Sequence, residues 1–299
     1  MDYLNAERWY RVVCRPALPK DTGDVLELTS MIWEGRDYVP KVWQEWLEDS
    51  DGMLAVAEYG GSVVGLVKLT RMESDEWWLE GLRVHPQFEG RGIASRLHDY
   101  VMDYWQRNCG GTLRLATSSQ RLPVQHLCER TGFRKLTELT VYSAPAIDPG
   151  VGVALEKQFE PLSLADAPVA LEFSLGNPVL ETLSGLMDLG WEWVNPSDRR
   201  FREAVQRGQA WWWGARQGLL LVVEDVDDDG EVAPVVQLLA CPLEMVSEIL
   251  EDYRRLAASL GYTKAAWVAP LHSDLVASLK EAGFERDWEQ SLSIYEKKA

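Results

Sequence analysis

Along the first half of the chain, apolar positions fall into short runs that switch between two periods. Met53–Tyr59 and Ser62–Thr70 alternate as strands do, and Gly60-Gly61 between them is a hairpin signal. Trp77–Val84 is an apolar, β-prone run that Pro86 stops, because proline has no N–H for a ladder. The period then changes. Ile93, Ala94, Leu97, Tyr100, Val101, Tyr104 and Trp105 mark one face of a helix, predicted over Gly92–Asn108 and closed by Gly110-Gly111. Strand Thr112–Thr117, helix Leu122–Thr131 and strand Lys135–Ser143 follow. Upstream, Trp9–Cys14 reads as a strand, and Asp21–Ile32 and Val39–Leu47 as helices, joined by a polar and aromatic loop, Trp33–Tyr38. The order is β-α-α-β-β-β-α-β-α-β. Its early strands form antiparallel hairpins, so an α/β fold with a mixed sheet is expected.

Ala144–Ala154, rich in proline, glycine and alanine, reads as a linker. Beyond it the pattern returns. Asp103-Tyr104 has a counterpart 149 residues on in Asp252-Tyr253, Gly111 one 150 on in Gly261, and Gly132-Phe133 one 151 on in Gly283-Phe284. The apolar spacing of Met245–Leu260 matches that of the first-half helix. The chain therefore reads as an internal duplication, with domains at 1–147 and 155–299, a size that suits two domains.

The duplication is unequal. Pro86 stands 17 residues before Asp103, whereas Pro242 stands 10 before Asp252. The missing seven match Gln87–Ile93, and Cys241-Pro242-Leu243-Glu244 runs into its helix without a glycine. In the first half, Gly90 and Gly92 sit where a strand ends and a helix begins. Free backbone N–H groups and the positive end of the helix dipole make that place suited to a phosphate or pyrophosphate. A plain turn would explain the glycines too. A dinucleotide fingerprint fits poorly, since Ser95 holds the third glycine position and no acidic residue ends the next strand. No Walker pattern is present.

Gln87-x-x-Gly90-x-Gly92 resembles the Q/R-x-x-G-x-G/A motif of the GNAT superfamily of N-acetyltransferases, and Leu127–Phe133 resembles the helix ending in Gly-Phe that follows in that family. The resemblance implies two tandem GNAT-like domains, each a mixed, partly antiparallel sheet flanked by helices. It also implies acetyl-CoA as co-substrate and a small-molecule or peptide amine as acceptor. The implied pyrophosphate cradle is Phe88, Glu89, Gly90, Arg91, Gly92, Ile93 and Ala94, opened by Gln87, with a guanidinium from Arg91 beside it. Backbone groups of Leu82, Arg83 and Val84 would hold the pantetheine arm and the thioester. Lacking the glycines, the second half would be non-catalytic. An acyl-CoA-binding pseudoenzyme or sensor is the alternative function.

Amine acetylation needs a base, donors for an oxyanion and a proton for the thiolate. Trp78, Glu80, Leu82 and Val84 share one strand face by period two, which makes Glu80 a candidate base. Glu80-Gly81-Leu82-Arg83-Val84 also resembles a Glu-Gly-x-x-Val sequence of some GNAT enzymes. An ammonium anchor or a solvated carboxylate are the other readings of Glu80. Where GNAT enzymes often place an acid tyrosine, this chain has Cys128, either a thiol acid or a small core residue. Tyr142, Ser118 and Ser119 are weaker candidates. Lone His85 and His126 suggest no metal.

Charge refines the picture only in part. The net charge is −17: residues 1–147 carry 17 Lys/Arg against 21 Asp/Glu, and residues 148–299 carry 13 against 26. Such a chain repels nucleic acid and anionic membrane, and its acidity serves either cationic substrates or solubility. Among 14 tryptophans, Trp191, Trp193 and Trp211-Trp212-Trp213 line either a groove or a core. The four cysteines have no C-x-x-C spacing, and no apolar run approaches a membrane span, so a cytoplasmic place is expected. The oligomeric state is not legible.

Overall fold

The computed structural model describes residues 12–148, 158–226 and 230–299. The chain divides into two compact units: Met1–Leu115 with His126–Phe133 and Glu296–Ala299, and Ala116–Gln125 with Arg134–Tyr295. The predicted strand at Trp9–Cys14 is described only from residue 12, where β1 spans Val13–Pro16; Trp9–Arg11 lie outside the described residues, as do linker positions 149–154.

In the first unit, β1, β2 (Met53–Tyr59), β3 (Ser62–Glu73) and β4 (Glu76–Val84) pair antiparallel in that order. β5 (Thr112–Ser118), of which Thr112–Leu115 belong to this unit, then joins β4 in parallel, over Glu76–Trp78 only. Helices α1 (Thr22–Ser30) and α2 (Val39–Glu48) cover one face, where Val25, Leu28, Trp43 and Trp46 pack on Leu54, Val56 and Leu66. The other face takes α3 (Ile93–Asn108). Gly65 permits that approach: a Cβ there would stand 3.0 Å from Leu97 and 3.4 Å from Ile93. Ile93, Leu97, Val101 and Trp105 form the buried helix face, as their spacing predicts.

One expectation fails at β4. Leu66 pairs with Arg83 and Lys68 with Glu80, so one residue of β3, Val67, opposes two of β4, Gly81 and Leu82. The extra residue is a β-bulge, and Gly81 inside it has φ +65°. The bulge reverses the alternation, so Glu80, Leu82 and Val84 do not continue one face by period two. Glu80 and Arg83 both lie at Tyr38 instead. A side chain at Gly81 would be strained and would meet the Trp46 ring at 2.6 Å. Gly81→Ala is therefore expected to cost about 2–3 kcal/mol, measured by denaturant unfolding; wild-type stability would contradict the bulge.

The first unit also holds a buried charge cluster. Arg114, 3% exposed on β5, ion-pairs with Glu76 and with Glu296, the latter at 3.0 Å. Lys297 donates to the Thr131 carbonyl at 2.8 Å, and the Ala299 N–H to Gly111 at 2.9 Å.

The second unit has, among the described residues, the strand order β6 (Arg134–Pro145), β11 (Lys264–Pro270), β10 (Val232–Ala240), β9 (Gly218–Val226), β8 (Ala210–Trp213) and β7 (Phe159–Pro161). In this order β10 and β11 pair parallel and the other neighbours antiparallel. Its helix α4 (Val246–Ser259) buries Ile249, Leu250, Tyr253 and Leu256. Trp193, Trp211, Trp212 and Trp213 are 0–6% exposed, and Trp213 Nε1 donates to Asp252 at 2.9 Å. These tryptophans are core, and Trp191 stacks on Trp288. The groove reading of the cluster is corrected accordingly.

Candidate active site

Beyond Trp78, β4 runs on to Val84 while its pairing with β5 has ended. Leu79–Val84 thus present backbone groups along an edge with no strand ladder, among the described residues. Leu82, Arg83 and Val84 lie on that edge, which then leads through a 3₁₀ turn at Pro86–Phe88 to the start of α3.

That helix start is open. Gly90 and Gly92 have φ +71° and +75°, and a Cβ on either would meet nothing within 4 Å. Gly92 is the N-cap, in the left-handed conformation, and no side chain caps the helix. Ile93 and Ala94 lie in the first turn, where N–H groups have no intrahelical acceptor; the first helical bond is Arg96 N–H to the Gly92 carbonyl at 3.1 Å. The predicted cradle narrows by two amides. Phe88 N–H donates to His85 at 2.8 Å and Glu89 N–H to Pro86 at 3.4 Å, so both close the turn. Gln87 N–H bonds His85 Nδ1 at 3.2 Å, and the Gln87 side chain is exposed. The Arg91 guanidinium lies 5.3 Å over the Phe88 ring. What remains is an uncapped, positively polarised helix end with open space above two glycines, which fits a pyrophosphate.

Glu80 is half-buried on the α2 side of the sheet. Its Oε1 accepts from Thr70 Oγ1 at 2.8 Å. Burial pushes its carboxyl above the ordinary range, while the Thr70 bond, the Lys68 charge, the Tyr38 hydroxyl and the Arg83 charge pull it partly back. Tyr38 is itself pushed up by burial and by the Glu80 charge. A carboxylate held this way retains the basicity that proton abstraction needs.

The loop before α2 supplies the surroundings of Glu80. Arg83, 8% exposed, donates to both Asp37 oxygens, at 2.8 and 3.1 Å, and lies 4.4 Å over the Trp33 ring and 5.4 Å over Tyr38. Asp37 also accepts from Val39 N–H at 3.2 Å, which ties the loop to the start of α2. Trp33 and Glu34 have φ of 46° and 58°, a left-handed pair that costs about 1–3 kcal/mol per residue. The polar and aromatic composition of Trp33–Tyr38 was the sequence signal for this loop. Nothing in the spacing linked Asp37 to Arg83 or Thr70 to Glu80.

Cys128 is 0% exposed, and burial pushes its thiol up to about 12. It packs in the core. Ser118, Ser119 and Tyr142 belong to the second unit. Ser118 donates to Gln290 at 3.0 Å, Ser119 accepts from Ser291 N–H at 3.3 Å, and Tyr142 is 6% exposed. His126 begins the second segment of the first unit, and His85 closes the 3₁₀ turn. Among the described residues no helix is long and apolar enough to cross a membrane.

Residues 23–133 match the Acetyltransferase (GNAT) family, and the matched stretch contains Glu80, the bulge and the glycine loop. A probable N-acetyltransferase 16 of Homo sapiens is 25% identical over 65% of this chain and 57% of its own length. A histidine N-acetyltransferase of Xenopus tropicalis is 33% identical over 29% of this chain and 27% of its own. The chain thus spans little more than half of the first relative and about a quarter of the second. The solved structure of a tandem GNAT protein from the clavulanic acid biosynthesis pathway has the same fold over 96% of this chain and 98% of its own, at 14% identity and a TM-score of 0.55. Residues 23–133, with the glycine loop at the head of α3, therefore form a domain of the Acetyltransferase (GNAT) family, and the chain shares the fold of a tandem GNAT protein.

Proposed function

We propose that the chain transfers an acetyl group from acetyl-CoA to a primary amine on a small-molecule or peptide acceptor, and that the unit containing Glu80 carries the chemistry. The observation that carries this reading is the pairing, in one unit, of a half-buried carboxylate on β4 with an uncapped helix end above two left-handed glycines. Acetyl-CoA supplies the activated acyl group. Gly90, Gly92, Ile93 and Ala94 hold its pyrophosphate with backbone N–H groups, and the unpaired edge at Leu82–Val84 lies along its pantetheine arm. Glu80 removes a proton from the acceptor ammonium, directly or through water, and leaves the amine free to attack. The GNAT match supports acetyl transfer, and the histidine acetyltransferase relative supports an amine of small size.

The second unit is read as a degenerate, non-catalytic copy. Its helix α4 starts from Met245 at φ −101°, after a turn at Leu243–Met245 that carries Glu244 and no glycine. A pocket of about 370 Å³ adjoins that turn, walled by Phe173, Pro178, Leu243 and Glu244, and its only charged wall is an anion. Such a place opposes a pyrophosphate.

Gly92→Glu tests the donor site. It puts a side chain and a negative charge at the helix end, and is expected to weaken acetyl-CoA binding at least about tenfold without unfolding the unit. Calorimetry with unchanged affinity would overturn the assignment. Release of free thiol across a panel of amines reports the transfer itself.

A further inference from the structure

Lys68 is 1% exposed, an unusual place for an ammonium group. It stands on β3 directly across from Glu80 in the strand register. Its Nζ ion-pairs with Asp49 and donates to the Leu69 carbonyl at 3.3 Å. Gly52 closes over it: a Cβ at Gly52 would stand 2.5 Å from Nζ. Asp49 accepts from the N–H groups of Asp51 and Gly52 at 2.9 and 3.2 Å, so the anion is fixed as well. A small pocket of about 190 Å³, walled by Trp46, Asp49, Gly52 and Leu54, adjoins the pair. Burying a lysine carries a desolvation cost that packing alone does not require, since an apolar residue could fill the same strand position.

We propose that Lys68 is a positioning residue for the transfer reaction: its buried ammonium, fixed by Asp49, holds Glu80 in the carboxylate form that accepts the proton. The proposal rests on the reading of Glu80 as the base. Burial alone favours a protonated Glu80, which would be useless as a base near neutral pH. Four groups act on that carboxylate: Thr70, Lys68, Tyr38 and Arg83. Thr70 from β3 donates a neutral hydrogen bond, and the Tyr38 hydroxyl is neutral too. Arg83, three residues along β4, is clamped on both oxygens of Asp37 and acts on Glu80 less than Lys68 does. Asp49, at the end of α2, pairs with Lys68. Lys68 is therefore the cation nearest in register that acts on Glu80, and its water-excluded place lengthens the reach of its charge.

The test follows the Glu80 carboxyl itself, by carbon-13 labelling of glutamate and NMR titration, with the Glu80 signal assigned from its loss in Glu80→Gln. In Lys68→Met, Glu80 is expected to titrate about one pH unit higher than in wild type. Lys68→Met/Asp49→Asn removes both charges, leaves no half-buried anion without its cation, and is expected to move Glu80 in the same direction by less. The acid limb of kcat/KM shifts upward with it, a change that a merely structural role for Lys68 would not produce. Glu80 titrating at its wild-type position in both folded variants overturns the proposal. A titration that moves while the acid limb stays in place supports the hold of Lys68 on Glu80 and overturns the reading of Glu80 as base.

Discussion

Glu80→Gln is expected to lower kcat by roughly 10²–10⁴-fold, the usual contribution of a positioned general base. The substitution keeps size and the acceptor oxygen for Thr70 Oγ1. It removes the one feature that proton abstraction requires. The pH dependence follows from burial. Because Glu80 sits above the ordinary carboxylate range, wild-type kcat/KM falls as pH drops through that raised value, where the base becomes protonated. Glu80→Gln should lose this limb and retain only the ionisation of the acceptor amine. A rise in KM at constant kcat would instead make Glu80 an anchor for the acceptor ammonium.

The second large effect concerns folding. Arg114→Met is expected to destabilise the first unit by about 3–5 kcal/mol, the cost of removing one partner from a buried ion-pair cluster. Arg114, Glu76 and Glu296 have side chains only 3–6% exposed, and the guanidinium is the cation that both carboxylates share. Deleting Glu296–Ala299 removes one carboxylate, the Lys297 bond to Thr131 and the Ala299 bond to Gly111. It should lower the midpoint of thermal unfolding as well. Arg114→Met combined with Glu76→Gln and Glu296→Gln removes all three charges and should recover much of the loss. If the single and triple variants unfold alike, the cluster contributes packing rather than charge pairing.

Local order was legible from the sequence because local physics sets it. The period of apolar positions placed α3 within one residue of its observed start, and the glycines at 90 and 92 marked a turn that needs left-handed backbone. The second-half helix was legible for the same reason. The face of Glu80 was not. Period two assumes an unbroken ladder, and the bulge at Gly81 breaks it, a device visible only once β3 is laid beside β4. Long-range pairs escaped for a related reason. Asp37 and Arg83 are 46 residues apart, and Arg114 and Glu296 are 182 apart. Neither pair follows a helical or strand period, so only the fold brings them together. Cys128 shows the converse: the sequence left it as a thiol acid or a small core residue, and its 0% exposure fits the core reading.

The most direct test is a calorimetric titration of the full chain with acetyl-CoA. One unit has the uncapped helix end with Gly90 and Gly92; the other begins its helix after Glu244 without a glycine. The account predicts saturable binding with a stoichiometry near one per chain, lost or weakened at least about tenfold in Gly92→Glu. Absence of binding, or a stoichiometry near two with half of it surviving in Gly92→Glu, would contradict it.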